Sequence, residues 1–487
     1  MRKFFTKSNL ALLLTLSVTL AAFFPVIFQE FNQLDLNLYI LENPIIQSFS
    51  RENLQKIFSI HIYWMPLTWL SYMLDYYFSG QHPQSYHIQN LCWHLANTTL
   101  VYFILKRCCY QFKRKKNLNK KDYIIISIAT LCWALHPMRV EAVAWAVNRK
   151  GLISSFFFFA TLLSYIHVNK KKQRLFLSCL CGSLAMSAHP NTLTLPFILI
   201  LIDIYRENFK HEKIKFTTQK ILSITLNKSL EKWPLFLMSL FTAMSCLIGQ
   251  SDINALQSTA LITKINHSLY QITFYLKEVL LPFNINTIYN TLPIEEINLL
   301  TFFNFISILT LCLYCIKKKS LLLNLSLSYF LICILPTLGI IQAGWITHAD
   351  RWTYVALLPF SILICKFLLH HKGCSKKIFI LSLIPILTLL SIQQKELKLW
   401  SNNFTAVNHA NQKYDSPHVY FQLSLAQEYL WKKEHLKATA LFNQIQDKHP
   451  GKQIKQIIQQ IKQGKNSTFQ DLIKGNNQNT QKKINIK

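Results

Sequence analysis

Charge is scarce in this chain of 487 residues: only 15% are Asp, Glu, Lys or Arg, against about 25% in an average soluble domain. Glycine is scarcer still, with ten residues and no Gly-rich nucleotide fingerprint among them. Acidic residues number 22 against 52 Lys and Arg. What fills the space is apolar: 51% of the chain, arranged in long blocks with the charge confined between them. That pattern excludes a soluble globular enzyme, a disordered scaffold and a disulfide-stapled secreted module. It predicts a multi-pass membrane protein. The twelve cysteines do not alter this, since most lie inside apolar runs, where a free thiol behaves as a small hydrophobe. Cys312 and Cys315 form a lone C-x-x-C with no second pair, so no metal site is expected.

Apolar runs fall at about 8–28, 88–105, 122–136, 151–168, 175–188, 192–205, 233–249, 299–316, 320–340, 353–370 and 377–394. A twelfth, 268–282, is broken by Lys277 and Glu278 and reads as an interfacial or re-entrant helix on the outer side. The first run exceeds a signal-peptide h-region and no small-x-small cleavage site follows, so it reads as a span. The net charge of +30 reports topology rather than nucleic-acid binding. Lys106–Lys121 holds eight basic residues, Lys170–Arg174 four and Arg206–Lys232 seven, whereas the alternate segments before residue 395 hold eight in all. The positive-inside rule then gives an all-α polytopic domain of about 11 spans, N-terminus in and C-terminus out. The expected location is a cell inner membrane, or an endoplasmic reticulum membrane in a eukaryote.

The outer face would thus carry the loop Gln29–His87, the turn His136–Lys150, the turn Ile341–Trp352 and everything after Gln394. The C-terminal part has its own pattern. Leu425, Ala426, Tyr429, Ala438, Phe442 and Pro450 occupy the packing positions of one 34-residue TPR repeat. A single repeat cannot bury its own face, so helices at about 395–412 and Gln453–Lys462 are expected to flank it. We divide the chain into a membrane domain over 1–394, a TPR-like helical region over 395–464, and a disordered polar tail over 465–487.

Among the outer residues, the first-loop acids Glu30, Asp35, Glu42 and Glu52 come first, since a carboxylate at the membrane surface could deprotonate a hydroxyl. Asp35 is singled out as the candidate base with Glu42 in support, and a solvated loop acid is the alternative. Arg139, Arg149, Lys150 and Arg351 stand on the side where cations are disfavoured, close to Trp and Tyr, and suit a lipid phosphate. His136, Glu141 and Asp350 accompany them. The alternative for the cations is interfacial anchoring.

These segments carry a resemblance. Trp64-Met-Pro-Leu-Thr-Trp-Leu-Ser-Tyr-Met-Leu-Asp75, Tyr86-His-Ile-Gln-Asn90 with His94, and His136-Pro-x-x-Val-Glu-Ala-Val-Ala-Trp145 with Arg149-Lys150 occur in that order. Thr194-Leu-Pro196 and Ala349-Asp-Arg-Trp-Thr-Tyr354 follow. Together they resemble the transmembrane-and-TPR family, which joins bacterial membrane proteins to the eukaryotic transmembrane-and-TPR protein O-mannosyltransferases of the GT-C superfamily. The resemblance runs from about residue 10 to 450. It implies a GT-C fold and transfer of a sugar from a polyprenyl-phosphate donor to a hydroxyl, on a protein or peptide presented by the TPR region. It implies no cofactor beyond that lipid-linked donor, and no metal. The family's first loop carries Asp-Asp; here Asp35 is followed by Leu36, while Glu42-Asn43-Pro44 is kept. Met65, Gly151 and His189 also replace polar or charged residues usual in the family. A catalytically degenerate domain that anchors a TPR scaffold for external partners is the competing reading.

Overall fold

The structure is a computed structural model. It describes residues 6–61, 63–114, 117–210, 218–252, 261–283, 285–289, 297–318, 320–340, 346–370, 376–414 and 417–463. The tail assigned to 465–487 lies outside them. Among the described residues there is helix and no strand. In chain order the helices are α1 (Lys7–Phe23), α2 (Arg51–Lys56), α3 (Pro66–Ser79), α4 (Pro83–Lys113), α5 (Lys120–Ala134), α6 (Val140–Ala144) and α7 (Arg149–His167). Then come α8 (Lys171–Met186), α9 (Leu195–Lys210), α10 (Thr218–Glu231), α11 (Trp233–Asp252), α12 (Leu261–Leu280), α13 (Ile297–Lys318) and α14 (Leu321–Ile334). The last six are α15 (Leu358–His370), α16 (Lys376–Leu399), α17 (Asn403–Lys413), α18 (Val419–Trp431), α19 (His435–Lys448) and α20 (Lys452–Lys462).

Among the described residues, two segments are long and apolar enough to cross a membrane, Lys7–Phe28 and Trp233–Ser251. A third is reached if Lys120–Ala134 and Pro137–Ala144, bent by 62°, count as one span. Helix α4 shows why the others are harder to recognise by composition. It packs against α1, α5, α7 and α15, and Asn90, His94 and Asn97 form a buried polar stripe along it at helical spacing. Each member is used. Asn90 Nδ2 donates to the carbonyls of Val143 (3.1 Å) and Trp145 (3.2 Å). His94 bridges the Tyr354 hydroxyl (2.7 Å) and the Ala134 carbonyl (3.2 Å). Asn97 donates to the Leu152 carbonyl (3.1 Å).

Those bonds correct one expectation. The segment His136–Lys150 is not an exposed turn. It folds back into the bundle through short helical turns, with every residue buried. Backbone groups can lie at that depth because α4 satisfies them.

The fixed point of this region is Arg149. It has no exposure and pairs with Asp75, also without exposure, at 2.8 Å. Its Nε donates to Asn90 (2.5 Å), its Nη1 to Ser71 and Gln89 (both 2.9 Å), and its Nη2 to the Tyr86 carbonyl (2.8 Å). α3, α4 and α7 therefore meet on one guanidinium. The turn between α3 and α4 that permits this ends at Gly80, whose φ of 59° and ψ of −126° suit glycine alone.

The boundary placed after residue 394 falls inside α16, which runs on to Leu399. The break comes at 400–402, where Asn402 caps α17 by accepting from Thr405 N–H (2.8 Å). Beyond it, α18 and α19 form a helical hairpin with α20 packed on both. Ala426, Ala438 and Phe442 are buried in its core with Ile457, Ile458 and Ile461. Leu425 faces the other way, into the main core with Phe421, Val407 and Ala410. Tyr429 is half-buried against Phe404 (ring centroids 5.8 Å), and Pro450 sits exposed between α19 and α20.

Asp75→Ala would strand the Arg149 cation in a dry interior. Breaking one partner of such a pair costs about 3–5 kcal/mol. Denaturant unfolding in detergent should show that loss, and a wild-type midpoint would show that the pair does not hold the three helices.

Candidate active site

The Asp35 turn is held from two directions. Toward the C-terminal helices, Gln29 Nε2 donates to the Leu397 carbonyl (2.8 Å) and Asn32 Nδ2 to that of Trp400 (3.0 Å). Glu30 N–H donates to the Ser401 carbonyl (3.0 Å), and Gln33 N–H to Asn403 Oδ1 (3.1 Å). Toward the re-entrant segment, Trp145 Nε1 donates to the Leu34 carbonyl (3.0 Å). Between these anchors Asp35 adopts φ of 55°, a left-handed conformation that Asp and Asn tolerate better than other side chains. The residue as a whole is partly exposed, and its carboxylate has no side-chain hydrogen-bond partner among the described residues. Burial raises its pKa above the usual carboxylate range, against the pull of the nearby Lys150 and Arg351 cations. Leu36, where the resemblance leads one to expect a second acid, is 1% exposed and part of the main core. The turn thus offers a single carboxylate.

Lys150 opens α7 next to the anchored Arg149. Its ammonium lies 3.8 Å from the centre of the Tyr39 ring, 5.7 Å from Trp145 and 5.9 Å from Tyr63. No carboxylate forms an ion pair with it among the described residues. Burial lowers its pKa to about 7, with Asp35 opposing and Arg351 reinforcing the shift. Arg351 stacks on Trp145 (4.9 Å) and Trp352 (5.4 Å). It also pairs with Glu141, which in turn accepts the Arg351 backbone N–H (2.8 Å).

His189 was not singled out as a site residue by the sequence, yet it joins this group. Its ring lies 5.5 Å from that of Tyr63. Nδ1 accepts the Asn191 N–H (3.2 Å), which leaves the proton of the neutral ring on Nε2. Burial first, then Lys150 and Arg351, hold its pKa well below the ordinary value. Loop α8–α9 brings it here because Thr68 Oγ1 of α3 donates to the Ala188 carbonyl (2.8 Å) and Leu67 N–H to that of Ser187 (3.3 Å). Tyr420, on α18, reaches the electrostatic range of Asp35. The only hint in the sequence was the placing of these aromatic and His residues on the same outer face.

The other expected residues lie elsewhere. The three nitrogens of Arg149 all donate to protein. Arg139 is fully buried between the rings of Trp133 (5.0 Å) and Tyr354 (4.9 Å), donating to the carbonyls of Trp133 (3.2 Å) and Thr353 (3.4 Å). His136 caps a 3₁₀ turn through Nδ1 and reaches the Val279 carbonyl through Nε2 (3.2 Å). Glu42 is exposed and accepts from Asn37 (3.0 Å). Asp350 is buried and accepts from the Tyr289 hydroxyl (2.8 Å). Among the described residues, no group of three His, Cys, Asp or Glu side chains is arranged to hold a metal ion.

Fold and site together define a helical membrane protein with an unpartnered acid facing aromatic-caged cations. Comparison with known proteins relates the chain to the TMTC family of protein O-mannosyl-transferases. It is 38% identical over 105 residues to human protein O-mannosyl-transferase TMTC3, covering 22% of this chain and 10% of the relative. Human TMTC4 is 26% identical over 157 residues, covering 30% and 21%. Mouse TMTC2 is 35% identical over 106 residues, covering 22% and 11%. The matched stretch is thus about a tenth of the length of the first of these relatives. No family model matches the chain, and no solved structure matches it.

Trp145→Phe keeps the ring but loses the bond to Leu34. A net cost of about 1 kcal/mol is expected, read as faster hydrogen exchange over 33–41 with the rest of the bundle unchanged. Equal exchange in both proteins would remove Trp145 as the clamp of the turn.

Proposed function

We propose that the chain is a membrane glycosyltransferase that moves a sugar from a polyprenyl-phosphate donor to a hydroxyl on a protein at the outer face. The observation that carries this reading is the Asp35 carboxylate, without a hydrogen-bond partner among the described residues and within the field of Lys150 and Arg351. A buried acid with raised proton affinity is suited to accept a proton from a hydroxyl. As that oxygen bonds to C1 of the sugar, the bond from C1 to the phosphate oxygen breaks, and the phosphate leaves with the electron pair. Lys150 is the stronger candidate for its charge, because aromatic faces stabilise an ammonium without neutralising it. Arg351 would contribute through the donors that Glu141 leaves free. One displacement on a β-linked donor inverts the anomeric carbon and needs no covalent enzyme intermediate.

The names of the relatives favour a protein acceptor. The bonds between residues 29–33 and 397–403 support presentation of that acceptor by the C-terminal helices, which follow the TPR pattern. The eleven-span topology fits the distribution of Lys and Arg. A reporter fused after residue 400 should then be active only outside, and one fused within 117–121 only inside. An inner C-terminus would sink the arrangement.

Asp35→Asn is the sharper test, because Asn tolerates the left-handed backbone that Ala would strain. Transfer to a candidate protein, read by intact mass, should fall by ~10²–10⁴-fold with the fold unchanged. Unchanged transfer would remove Asp35 as the base, and no transfer by wild type from a broad donor panel, with partner binding intact, would favour the scaffold reading.

The pH profile of kcat/KM checks the same assignment. Activity should rise with pH as Asp35 ionises, then fall as Lys150 loses its proton near the value of about 7. Lys150→Arg, which stays charged, should move the alkaline limb upward; an unmoved limb would place the charge on another group.

A further inference from the structure

The opposite end of α7 carries a second concentration of positive charge that sugar transfer does not use. Tyr165 lies fifteen residues beyond Lys150 on that helix, roughly 22 Å along its axis, most of the thickness of a bilayer core. Three guanidinium groups from three helices gather around it. Arg174 of α8 and Arg206 of α9 stack on the Tyr165 ring at 5.2 and 5.1 Å. Arg206 also donates to the Tyr165 carbonyl (2.6 Å), and Arg107 of α4 donates to that of Ile166 (3.4 Å). Arg206 feels both Arg174 and Arg107 as repelling neighbours.

The local carboxylates do not neutralise them. Asp203 accepts from the Tyr165 hydroxyl (2.8 Å) and pairs with Lys232 at 2.5 Å. Glu231 pairs with Lys171 (2.9 Å) and Lys228 (3.1 Å). None of the three arginines has a carboxylate partner among the described residues, and the buried Nε of Arg174 has no acceptor at all. Asp203 attracts Arg206 but is shared with Tyr165 and Lys232, so positive charge stays in excess around the Tyr165 ring, and an anion would balance it. Apolar surface flanks them: Phe176, two residues beyond Arg174, is 67% exposed, and Trp233, next to Lys232, is 61% exposed.

We infer that Arg174 and Arg206 hold the phosphate of an anionic phospholipid at this end of the bundle, with its acyl chains along Phe176 and Trp233. Forked guanidinium donors match phosphate oxygens, and basic pockets between membrane helices suit such headgroups. Anchoring a lipid here would fix the ends of α4, α7, α8 and α9, the helices whose other ends frame the Asp35 site. The inference is independent of sugar transfer.

The test uses the full chain purified in a neutral detergent, with phosphatidylglycerol titrated in and the thermal midpoint recorded. Each variant is referred to its own lipid-free midpoint. A saturable rise is expected with phosphatidylglycerol and none with phosphatidylcholine or inorganic phosphate. Arg174→Gln removes the stack on Tyr165 but no side-chain hydrogen bond or ion pair among the described residues, and it should raise the half-saturating lipid concentration on the order of tenfold. Arg174→Lys should fall between, since an ammonium lacks the fork. The inference is overturned if Arg174→Gln titrates like wild type or if phosphatidylcholine matches phosphatidylglycerol. An equal rise with inorganic phosphate would assign the site to a free anion and overturn the lipid.

Discussion

A cation cannot be left unpaired in the dry interior of a helical bundle, and Arg149 meets that constraint by binding everything around it. Its partners come from α3 (Ser71 and Asp75) and from α4 (Tyr86, Gln89 and Asn90). Burying the ion requires all of them together, so its position is over-determined. The segment before it is drawn into the bundle as a consequence, and Trp145 comes within reach of the Asp35 turn. The residue after it inherits a fixed address. Lys150 can stand among aromatic rings without a counter-ion because its backbone is already immobilised one residue away.

Adjacent cations thus have opposite fates. The charge of Arg149 is spent on architecture, whereas that of Lys150 is stabilised by ring faces, which leave its field available to an anion. Arg351 is intermediate, tied to Glu141 but open over Trp145 and Trp352. Asp35 feels both cations yet bonds to neither, in a turn whose backbone is clamped from both sides. Such an arrangement keeps a carboxylate and two cations within each other's field without an ion pair between them.

The C-terminal helices belong to the same construction. Four residues of the first loop bond to the junction of α16 and α17, and α18 shows one apolar face to that junction and another to α19 and α20. Motion in the helical hairpin would therefore be felt at the Asp35 turn. The positions of Leu425 and Ala426 on a TPR-like pattern look equivalent in sequence, but they serve different interfaces.

The helical class and the membrane setting were legible in the sequence, because they follow from apolar block length and the paucity of charge, which do not depend on partners. Asp35 stood out in the sequence as an acid in a long loop ahead of Glu42-Asn43-Pro44, whereas its left-handed backbone and the clamp around it did not. The roles of the cations were not legible. Arg139, Arg149, Lys150 and Arg351 are alike in a sequence, and what separates them is the set of hydrogen-bond acceptors around each, much of it from segments far away in the chain. His189 was marked only as a departure from the family pattern and not as a site residue for the same reason: it reaches the site through bonds between α3 and the loop after α8, which no local pattern records. Composition determined that this chain would be helical and apolar. Only the tertiary structure decided which charges would be consumed holding those helices together and which would be left free to act, because that choice depends on long-range pairing.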